Sequence, residues 1–251
     1  MSTLAPIRTR TVSAPGGTLA APIKELDWAR IGAELAAHGC ATTGPLLSAD
    51  QCAALARTYV EEAPFRSRVI MARHGFGRGE YKYFAYPLPE LVATLRVALY
   101  PPLAVIANRW NELLGIDRAY PAEHAAYLGR CKAAGQAKPT PLLLQYGEGD
   151  FNCLHQDLYG EHVFPLQATV LLSEPGRDFT GGEFVLTEQR PRMQSRAEVV
   201  PLRQGEAVIF PVHHRPVQGA KNIYRVNMRH GVSRVRSGRR HTVGIIFHDA
   251  R

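Results

Sequence analysis

The sequence predicts an α+β fold, in which a mainly helical N-terminal half supports a C-terminal antiparallel sandwich of the jelly-roll type, a double-stranded β-helix. Two observations lead to this prediction. From about residue 22 to residue 127, apolar residues recur at three- and four-residue spacing, which is the period of a helix. From residue 141 onward, short apolar and β-branched runs alternate with turn signals.

Three helical segments are expected in the N-terminal half. The first covers residues 23–39, where apolar residues keep helical spacing until a glycine ends the pattern. The second begins after Ser48, which stands three residues before Gln51 in a capping-box arrangement. The third covers residues 88–115 as one or two helices, because the prolines at 101–102 each remove a backbone donor.

Eight short strands are expected in the C-terminal half. Turn signals such as "EGD", "RQG" and "RSG" separate them. About eight strands within roughly 110 residues are typical of a sandwich or jelly roll. The eight runs are "PLLLQYG", "CLHQDL", "LQATVLLS", "GEFVLTEQ", "AEVVPL", "EAVIFPV", "YRVNMRHGV" and "RHTVGIIFH".

The chain is therefore predicted to form a single domain over residues 21–251, after a disordered tail at residues 1–20. Residues 21–139 would supply helical support and a lid, and residues 140–251 would form the jelly-roll core. A mobile lid is expected at residues 75–84, because three glycines at alternate positions give that segment conformational freedom, and a packed hairpin or loop is the alternative left open.

The composition excludes several classes of protein. An apolar share of 45% and a charged share of 21% are typical of a globular protein and exclude a disordered one. No run of roughly 18 apolar residues occurs, so neither a membrane span nor a membrane partner is expected. Scattered cysteines without a CxxC pair, and a start that lacks the apolar core of a signal peptide, favour the cytoplasm. Cys153 is expected to be a buried structural thiol.

Positive charge is concentrated in one part of the chain. The formal net charge is +8, yet residues 190–240 contain twelve basic residues opposed only by Glu198 and Glu206. Such a concentration is typical of a protein with an anionic partner, either a polyanion or a small carboxylate or phosphate. A solvated arginine-rich surface explains the charge equally well.

A candidate metal site begins in the stretch "LHQDLYG", residues 154–160. Alternate side chains of a strand share a face, so His155 and Asp157 project together while Gln156 points elsewhere. One imidazole and one carboxylate supply two ligands of a 2-His-1-carboxylate triad, the set that favours non-haem Fe(II). A His-x-Asp triplet alone is weak support, so a third ligand in suitable surroundings is needed.

His230 is the preferred third ligand because of the residues that follow it. Ten residues later stands Arg240, with Thr242 on the same face of the strand. An arginine fork beside a hydroxyl, one hairpin away from a metal, is suited to bind a carboxylate. The alternatives left open are His213 or His214 as the ligand and Arg236 or Arg239 as the clamp.

With these residues, the chain resembles the 2-oxoglutarate- and Fe(II)-dependent dioxygenases over most of residues 140–250. "LLLQYGEGDFNCLHQDL" is similar to the family's strands that lead into the first ligands. "GGEFVL" and "LRQGEAVIFPV" resemble its middle strands, and "RHGVSRVRSGRRHTVGIIF" resembles its closing hairpin. The resemblance implies an oxidoreductase in which His155, Asp157 and His230 bind Fe(II) and form the catalytic set.

The same resemblance implies a pocket for 2-oxoglutarate. Arg240 would pair with the distal carboxylate, with Thr242 assisting. Tyr146 matches a tyrosine that often contacts this cosubstrate, although an ordinary core aromatic is an equal alternative. O2 would be the second cosubstrate, and ascorbate is a candidate stimulant of turnover. Enzymes of this class couple decarboxylation of 2-oxoglutarate to oxidation of a C–H bond, so an N-methyl group would leave as formaldehyde.

Alkylated DNA or another nucleic acid is the expected substrate, in an oxidative demethylation that repairs DNA. "HQD" also occurs in AlkB-type demethylases, and "FRSRVIMARHGFGRGEYKYF" with "EQRPRMQSR" is similar to a bacterial oxygenase family described as acting on alkylated DNA. Aromatic side chains can stack on an extruded base, and arginines can neutralise phosphates. The predicted substrate-binding residues are Arg66, Arg68, Arg73, Tyr81, Tyr83, Arg190 and Arg192.

Two other functions stay open. A prolyl-hydroxylase-like enzyme that hydroxylates a protein side chain or a small metabolite would share the strand order and the closing hairpin. Its substrate would not require the arginine-rich window. A non-catalytic, cupin-like binding module is disfavoured, because the predicted iron ligands and the carboxylate clamp are both present.

Overall fold

The computed structural model describes residues 23–158 and 160–251. The tail predicted at residues 1–20 lies outside the described residues. The helices are α1 Trp28–His38, α2 Ala49–Arg57, α3 Glu90–Leu113 and α4 His124–Ala133. The strands are β1 Ala41–Pro45, β2 Phe65–Ile70, β3 Gly77–Arg78, β4 Glu80–Phe84, β5 Leu142–Tyr146, β6 Phe151–His155, β7 Leu166–Leu171, β8 Phe179–Gly181, β9 Phe184–Gln189, β10 Arg196–Val200, β11 Glu206–Pro211, β12 His214–Gln218, β13 Ile223–Val232, β14 Val235–Gly238 and β15 Arg240–Ile245.

Local sequence signals determine the ends of the first two helices. Gly39 follows α1 in the left-handed conformation, at φ 79°, and its N–H donates to the Leu35 carbonyl at 3.1 Å. The predicted capping box opens α2, where Gln51 N–H donates to Ser48 Oγ at 3.2 Å and Ser48 N–H donates to Gln51 Oε1 at 2.9 Å. Both predicted boundaries are therefore confirmed.

Helix α3 runs as a single element through Pro101 and Pro102. Pro101 removes the donor that the Val97 carbonyl would accept, but Val97 is 58% exposed, so water can take that place. Ten other residues of α3 are buried in the domain. Among the described helices, α3 alone is long and apolar enough to cross a membrane by length and composition. The expectation that no segment spans a membrane stays a prediction.

Four strands lie in the N-terminal half, which the sequence predicts to be mainly helical. β1 pairs with β11, while β2 pairs with β4 and β4 pairs with β5. These strands are short, and β1, β3 and β4 pair with strands far along the chain, which a local periodicity does not reveal. The segment 75–84, expected to be a lid, contains β3 and β4, and both are paired to strands of the core.

Two antiparallel sheets form the predicted sandwich. The major sheet has the order β1-β11-β7-β15-β5-β4-β2, and the minor sheet has the order β10-β9-β13-β6-β3, with β12 paired to β13. All eight predicted strands are present, and β8, β12 and β14 are additional. One apolar cluster fills the space between the sheets, and another packs the helices against the back of the major sheet. The α+β jelly-roll prediction is confirmed.

Strand register brings distant residues of the predicted site together. β13 pairs with β6 so that His230 lies opposite His155. β15 pairs with β5 so that Arg240 lies opposite Tyr146. Because paired residues on neighbouring strands point to the same face, each pair projects into the space between the sheets.

Candidate metal centre and cosubstrate pocket

The three predicted metal ligands lie together in the structure. His155 ends β6, His230 lies in the neighbouring β13, and Asp157 follows β6 by two residues. One donor atom from each side chain lies within 4.8 Å of the other two. Nε2 of His155 is 3.6 Å from Oδ1 of Asp157, and Nε2 of His230 is 3.3 Å from Oδ2. Two imidazoles and one carboxylate are the donor set that suits non-haem Fe(II).

A backbone hydrogen bond orients the ring of His155. Nδ1 lies 2.7 Å from the carbonyl oxygen of Cys153, which only accepts, so Nδ1 carries the proton and Nε2 offers its lone pair to the centre. Burial, and then the neighbouring His230, lower the pKa of His155 below its usual value. The ring is therefore neutral and oriented to bind a metal before the metal arrives.

Gln167, on β7 of the major sheet, holds the carboxylate of Asp157. Its Nε2 donates to Oδ2 at 2.9 Å and lies 3.4 Å from Nε2 of His230. Burial alone would raise the pKa of Asp157, but hydrogen bonds and charge from His230, His155 and Gln167 lower it well below its usual range. The sequence analysis missed Gln167, whose only signal is its inward position on an interior strand.

Gln156 points away from the metal ligands, as strand alternation predicts. Its Nε2 donates to the carbonyls of His213 at 3.0 Å and Met228 at 2.8 Å, which fixes the chain between the two ligands that flank it. The rings of His213 and His214 contact each other. Neither belongs to the metal-binding cluster found among the described residues, so the structure selects His230 as the third member.

A buried guanidinium lies at the end of the pocket where the cosubstrate is predicted to bind. Arg240 is 2% exposed, and its Nε and Nη1 have no hydrogen-bond partner within the described part of the chain. Burial lowers the pKa of Arg240 to about 10, so the side chain stays charged at neutral pH. A bidentate carboxylate would satisfy these donors. The alternative clamps, Arg236 and Arg239, are exposed.

The other two predicted cosubstrate residues adjoin this guanidinium. The carbon at the centre of the Arg240 guanidinium lies 5.6 Å from the ring centre of Tyr146, and Thr242 lines the same cavity. Two glycines leave room for these side chains. A Cβ on Gly79, at φ 114°, would lie 2.8 Å from the Tyr146 ring, and a Cβ on Gly182, at φ 63°, would lie 3.0 Å from Cδ of Arg240.

One cavity of about 350 Å³ connects the metal ligands with Arg240. Its size lies within the usual range for small-molecule sites, roughly 300–1,000 Å³. Tyr81 and Tyr83 form part of its wall, with ring centres 5.4 Å apart in an edge-to-face arrangement. Cys153 is exposed and also lines the cavity, so the prediction of a buried thiol is wrong. The adjacent β3 covers β6 over only two residues, which leaves this thiol accessible.

The predicted substrate-binding arginines lie outside the cavity wall. The central guanidinium carbon of Arg66 lies 4.5 Å from the ring centre of Tyr83, which itself lines the cavity. Nε of Arg68 donates to Glu80 at 2.8 Å, and Nε of Arg190 donates to Glu188 at 2.6 Å. Arg73 and Arg192 are exposed and form no ion pair within the described ranges. Their role in substrate binding stays a prediction.

Comparison with known proteins identifies the family. A family model named Oxygenase-NA, described as an oxygenase catalysing oxidative methylation of damaged DNA, matches residues 79–250. The chain belongs to this family. Two uncharacterised proteins from two strains of Mycobacterium tuberculosis are each 48% identical to it over 167 residues, which is 66% of this chain and 72% of theirs.

Solved structures share the fold. A 2-oxoglutarate-Fe(II) oxygenase-family oxidoreductase from Burkholderia pseudomallei superposes with a TM-score of 0.52 at 15% identity, covering 89% of this chain and 92% of that one. The α-ketoglutarate-dependent epimerase SnoN from nogalamycin biosynthesis has a TM-score of 0.50 at 16% identity, covering 86% and 80%. At these identities the likeness concerns the fold.

Membership in the Oxygenase-NA family makes this chain an oxygenase, and the prediction of an oxidoreductase is confirmed. The shared fold and the His-Asp-His donor set agree with the predicted Fe(II), 2-oxoglutarate and O2 as its cofactor and cosubstrates. The stimulation by ascorbate stays a prediction.

Proposed function

We propose that this oxygenase acts on alkylated DNA, oxidising an alkyl group on a base that has left the base stack. The description of the family supports DNA as the substrate. The observation that carries the proposal is the position of Tyr81 and Tyr83 in the wall of the metal cavity. His155 and Asp157 line the same cavity, so the two rings share it with the metal ligands. Burial raises the pKa of both hydroxyls, so they stay protonated and neutral.

Each part of the cavity would have a defined task. The three metal ligands would hold iron, and Arg240 with Thr242 would hold the distal carboxylate of 2-oxoglutarate. Iron and 2-oxoglutarate, when bound, supply oxidation of a C–H bond with release of succinate and CO2. Tyr81 and Tyr83 would contact the flat face of the base and exclude water around it. An N-methyl group hydroxylated there would leave as formaldehyde and restore the unmodified base.

The proposal is tested by succinate release in the presence of Fe(II), 2-oxoglutarate and ascorbate. The arms are methylated single-stranded DNA, the same oligonucleotide without methylation, a pool of proline-containing peptides, and no substrate. We expect stimulation by the methylated oligonucleotide alone, with one formaldehyde formed for each additional succinate. Stimulation by the peptide pool alone would replace this proposal with side-chain hydroxylation.

We further propose that the enzyme acts in the cytoplasm. All four cysteines are free, and thiols persist in a reducing compartment. Fractionation of cells that express the tagged full-length chain tests this, and recovery in an extracytoplasmic fraction would contradict it.

A further inference from the structure

The basic residues between 190 and 240 differ in their surroundings. Arg215 and Arg240 are buried, with 1% and 2% exposure. Arg190 and Arg196 approach the carboxylate of Glu188, which Arg215 also contacts. Three of these arginines therefore lie beside the Glu188 carboxylate, and Arg240 lines the cavity. The rest of the twelve are exposed and form no ion pair in the described part of the chain.

Two of these free arginines lie on the strand that carries His230. On β13, Val226, Met228 and His230 are buried and face the sandwich interior. The residues between them face outward, and Arg225 and Arg229 are both exposed. Four residues along a strand span about 13 Å, so the two guanidinium groups start from points about that far apart on one face.

The sheet around these two arginines carries no opposing charge. Thr187 on β9 lies opposite Arg229, and Gln189 lies opposite Asn227. β10 continues the same face with Ala197 and Val199, which pair with outward residues of β9. The outward residues of β9, β10 and β13 are therefore uncharged apart from the two arginines, and no carboxylate reduces their attraction for an anion.

Two further cations extend this row at one end. Gln189 ends β9 opposite Asn227, so the turn that contains Arg192 lies at the Arg225 end of β13. Lys221 lies in the turn that enters β13 at the same end. Both are exposed and without an ion pair in the described ranges. We call the set of Arg192, Lys221, Arg225 and Arg229 the cationic face.

The Arg229 end of the cationic face lies close to the mouth of the metal cavity. β13 pairs with β6 at His230 and Val232, and β6 pairs with β3, so two strand spacings of about 4.8 Å separate this end from the β3 edge. Arg225, whose neighbour is β12, lies about 13 Å further along β13. That edge carries Phe76, which is 45% exposed and lines the cavity, as does the 44% exposed Leu154 on β6. The resulting distance of about 10 Å corresponds to roughly three stacked nucleotides at about 3.4 Å each.

We propose that the cationic face binds the phosphate backbone of the DNA substrate, so that a nucleotide a few positions along the strand reaches the metal cavity. The inference rests on the proposed function for the identity of the polyanion. Its support is a row of cations that form no ion pair within the described residues, on a sheet face that is otherwise uncharged. This face lies on the opposite side of β13 from His230, and its Arg229 end is next to the cavity mouth. Phosphate contacts of this type position a substrate without reading its sequence.

The salt dependence of DNA binding tests this proposal. Fluorescence anisotropy of a labelled, unmethylated single-stranded oligothymidylate is measured across a series of salt concentrations. Each phosphate contact contributes about 0.7 to the slope of log affinity against log salt, or about fivefold at 0.1 M salt. We expect the double variant Arg225→Gln/Arg229→Gln to lower the slope by about 1.4 and to bind about 25-fold more weakly at 0.1 M salt.

Two control variants distinguish the effect of where the positive charge lies from the effect of how much positive charge is removed. Arg225→Lys/Arg229→Lys keeps both charges and should keep the slope. Arg57→Gln/Arg109→Gln removes two charges that are also exposed, on α2 and α3, and should bind like the wild type. Thermal unfolding of every variant shows that the fold is intact.

The outcomes separate this inference from the proposed function. An unchanged slope in Arg225→Gln/Arg229→Gln, or an equal loss in Arg57→Gln/Arg109→Gln, overturns the cationic face even if methylated DNA stimulates turnover. Wild-type binding that depends on the face, without stimulation by methylated DNA, supports the face and rejects the proposed reaction. Absence of DNA binding by the wild type, or binding only to anionic lipid vesicles used as a competing polyanion, overturns the inference.

Discussion

The two ends of the cavity are built in opposite ways. At the metal end, Nδ1 of His155 is hydrogen-bonded to a backbone carbonyl, and Gln167 holds the Asp157 carboxylate. At the cosubstrate end, the buried Arg240 has two donor nitrogens without a partner among the described residues. The metal end is thus organised before its ligand arrives, whereas the predicted cosubstrate end would be completed by its ligand. If Arg240 is the clamp, as predicted, binding of 2-oxoglutarate would include relief of an unfavourable buried charge.

The largest effect should come from removing a metal ligand. We expect His155→Ala to lower 2-oxoglutarate turnover by more than about 100-fold, because loss of an outer partner of a metal site alone costs about 10- to 100-fold. Succinate release and Fe(II) titration measure the effect, and circular dichroism checks the fold. The matched control is His214→Ala, which should leave turnover unchanged. The reverse pattern would show that the metal ligands are assigned wrongly.

A change at Arg240 should separate binding from stability. We expect Arg240→Met to raise the KM for 2-oxoglutarate by about 10- to 100-fold, because hydrogen bonds to charged groups contribute about 1.5–3 kcal/mol. The same variant without ligand should have a free energy of unfolding about 1–3 kcal/mol higher, since a buried unpaired charge is removed. Denaturant unfolding and steady-state kinetics measure the two effects.

The exposed neighbour provides the control for that prediction. Arg239→Met removes the same charge one residue away, and neither the KM nor the stability should change appreciably. If ligand-free Arg240→Met is instead less stable than the wild type, the guanidinium has an internal partner and the contrast between the two ends fails.

A smaller effect is expected from a change at Gln167, which holds the Asp157 carboxylate at the metal end. Gln167→Met keeps the side-chain length but removes the donor to Asp157, so the apparent affinity for Fe(II) should fall by about tenfold. Gln145→Met is the control, because Gln145 on β5 bonds to Glu80 and His241 rather than to the metal ligands. Equal affinities in both variants would mean that Gln167 does not organise the carboxylate.

The smallest effect should come from pH in the neutral range. Burial and His230 lower the pKa of His155 from 6.5, so its ring stays neutral as the pH falls to that value and loses metal affinity only below it. Arg240, with a pKa of about 10, stays charged up to that pH. Between about pH 7 and 9 His155 stays neutral and Arg240 stays charged, so the KM for 2-oxoglutarate should vary by less than about twofold. A loss of 2-oxoglutarate binding near pH 8 would exclude Arg240 as the clamp.

Arginines show where sequence reasoning reaches its limit. Arg68 and Arg190 look like free cations in the sequence, yet Glu80 and Glu188 pair with them in the fold. Arg225 and Arg229 carry no distinguishing motif, yet both are exposed and unpaired within the described residues. Charge density along a chain is local, whereas the availability of each charge depends on carboxylates that other elements bring near it.

The segment 75–84 gives the same lesson for secondary structure. Its glycines predict mobility, but Gly77 has φ 124°, and the backbone of β6 passes so close that a Cβ there would clash with the Phe151 carbonyl. The glycine there permits a tight strand pairing. A glycine pattern alone does not distinguish close packing from flexibility, because both need a residue without a side chain.

The sequence by itself predicted the C-terminal strands, two helix caps and the pair His155 and Asp157, and it left His230 and Arg240 as the preferred choices among several. These follow from local periodicity and from a motif whose members sit on alternating strand positions. Only the tertiary structure decided that Gln167 supports the carboxylate, that N-terminal strands close both edges of the major sheet, and that two donor nitrogens of the buried Arg240 have no hydrogen-bond partner among the described residues. Each of these depends on contacts between residues far apart in the chain, and such contacts exist only once the sheets have paired and excluded water.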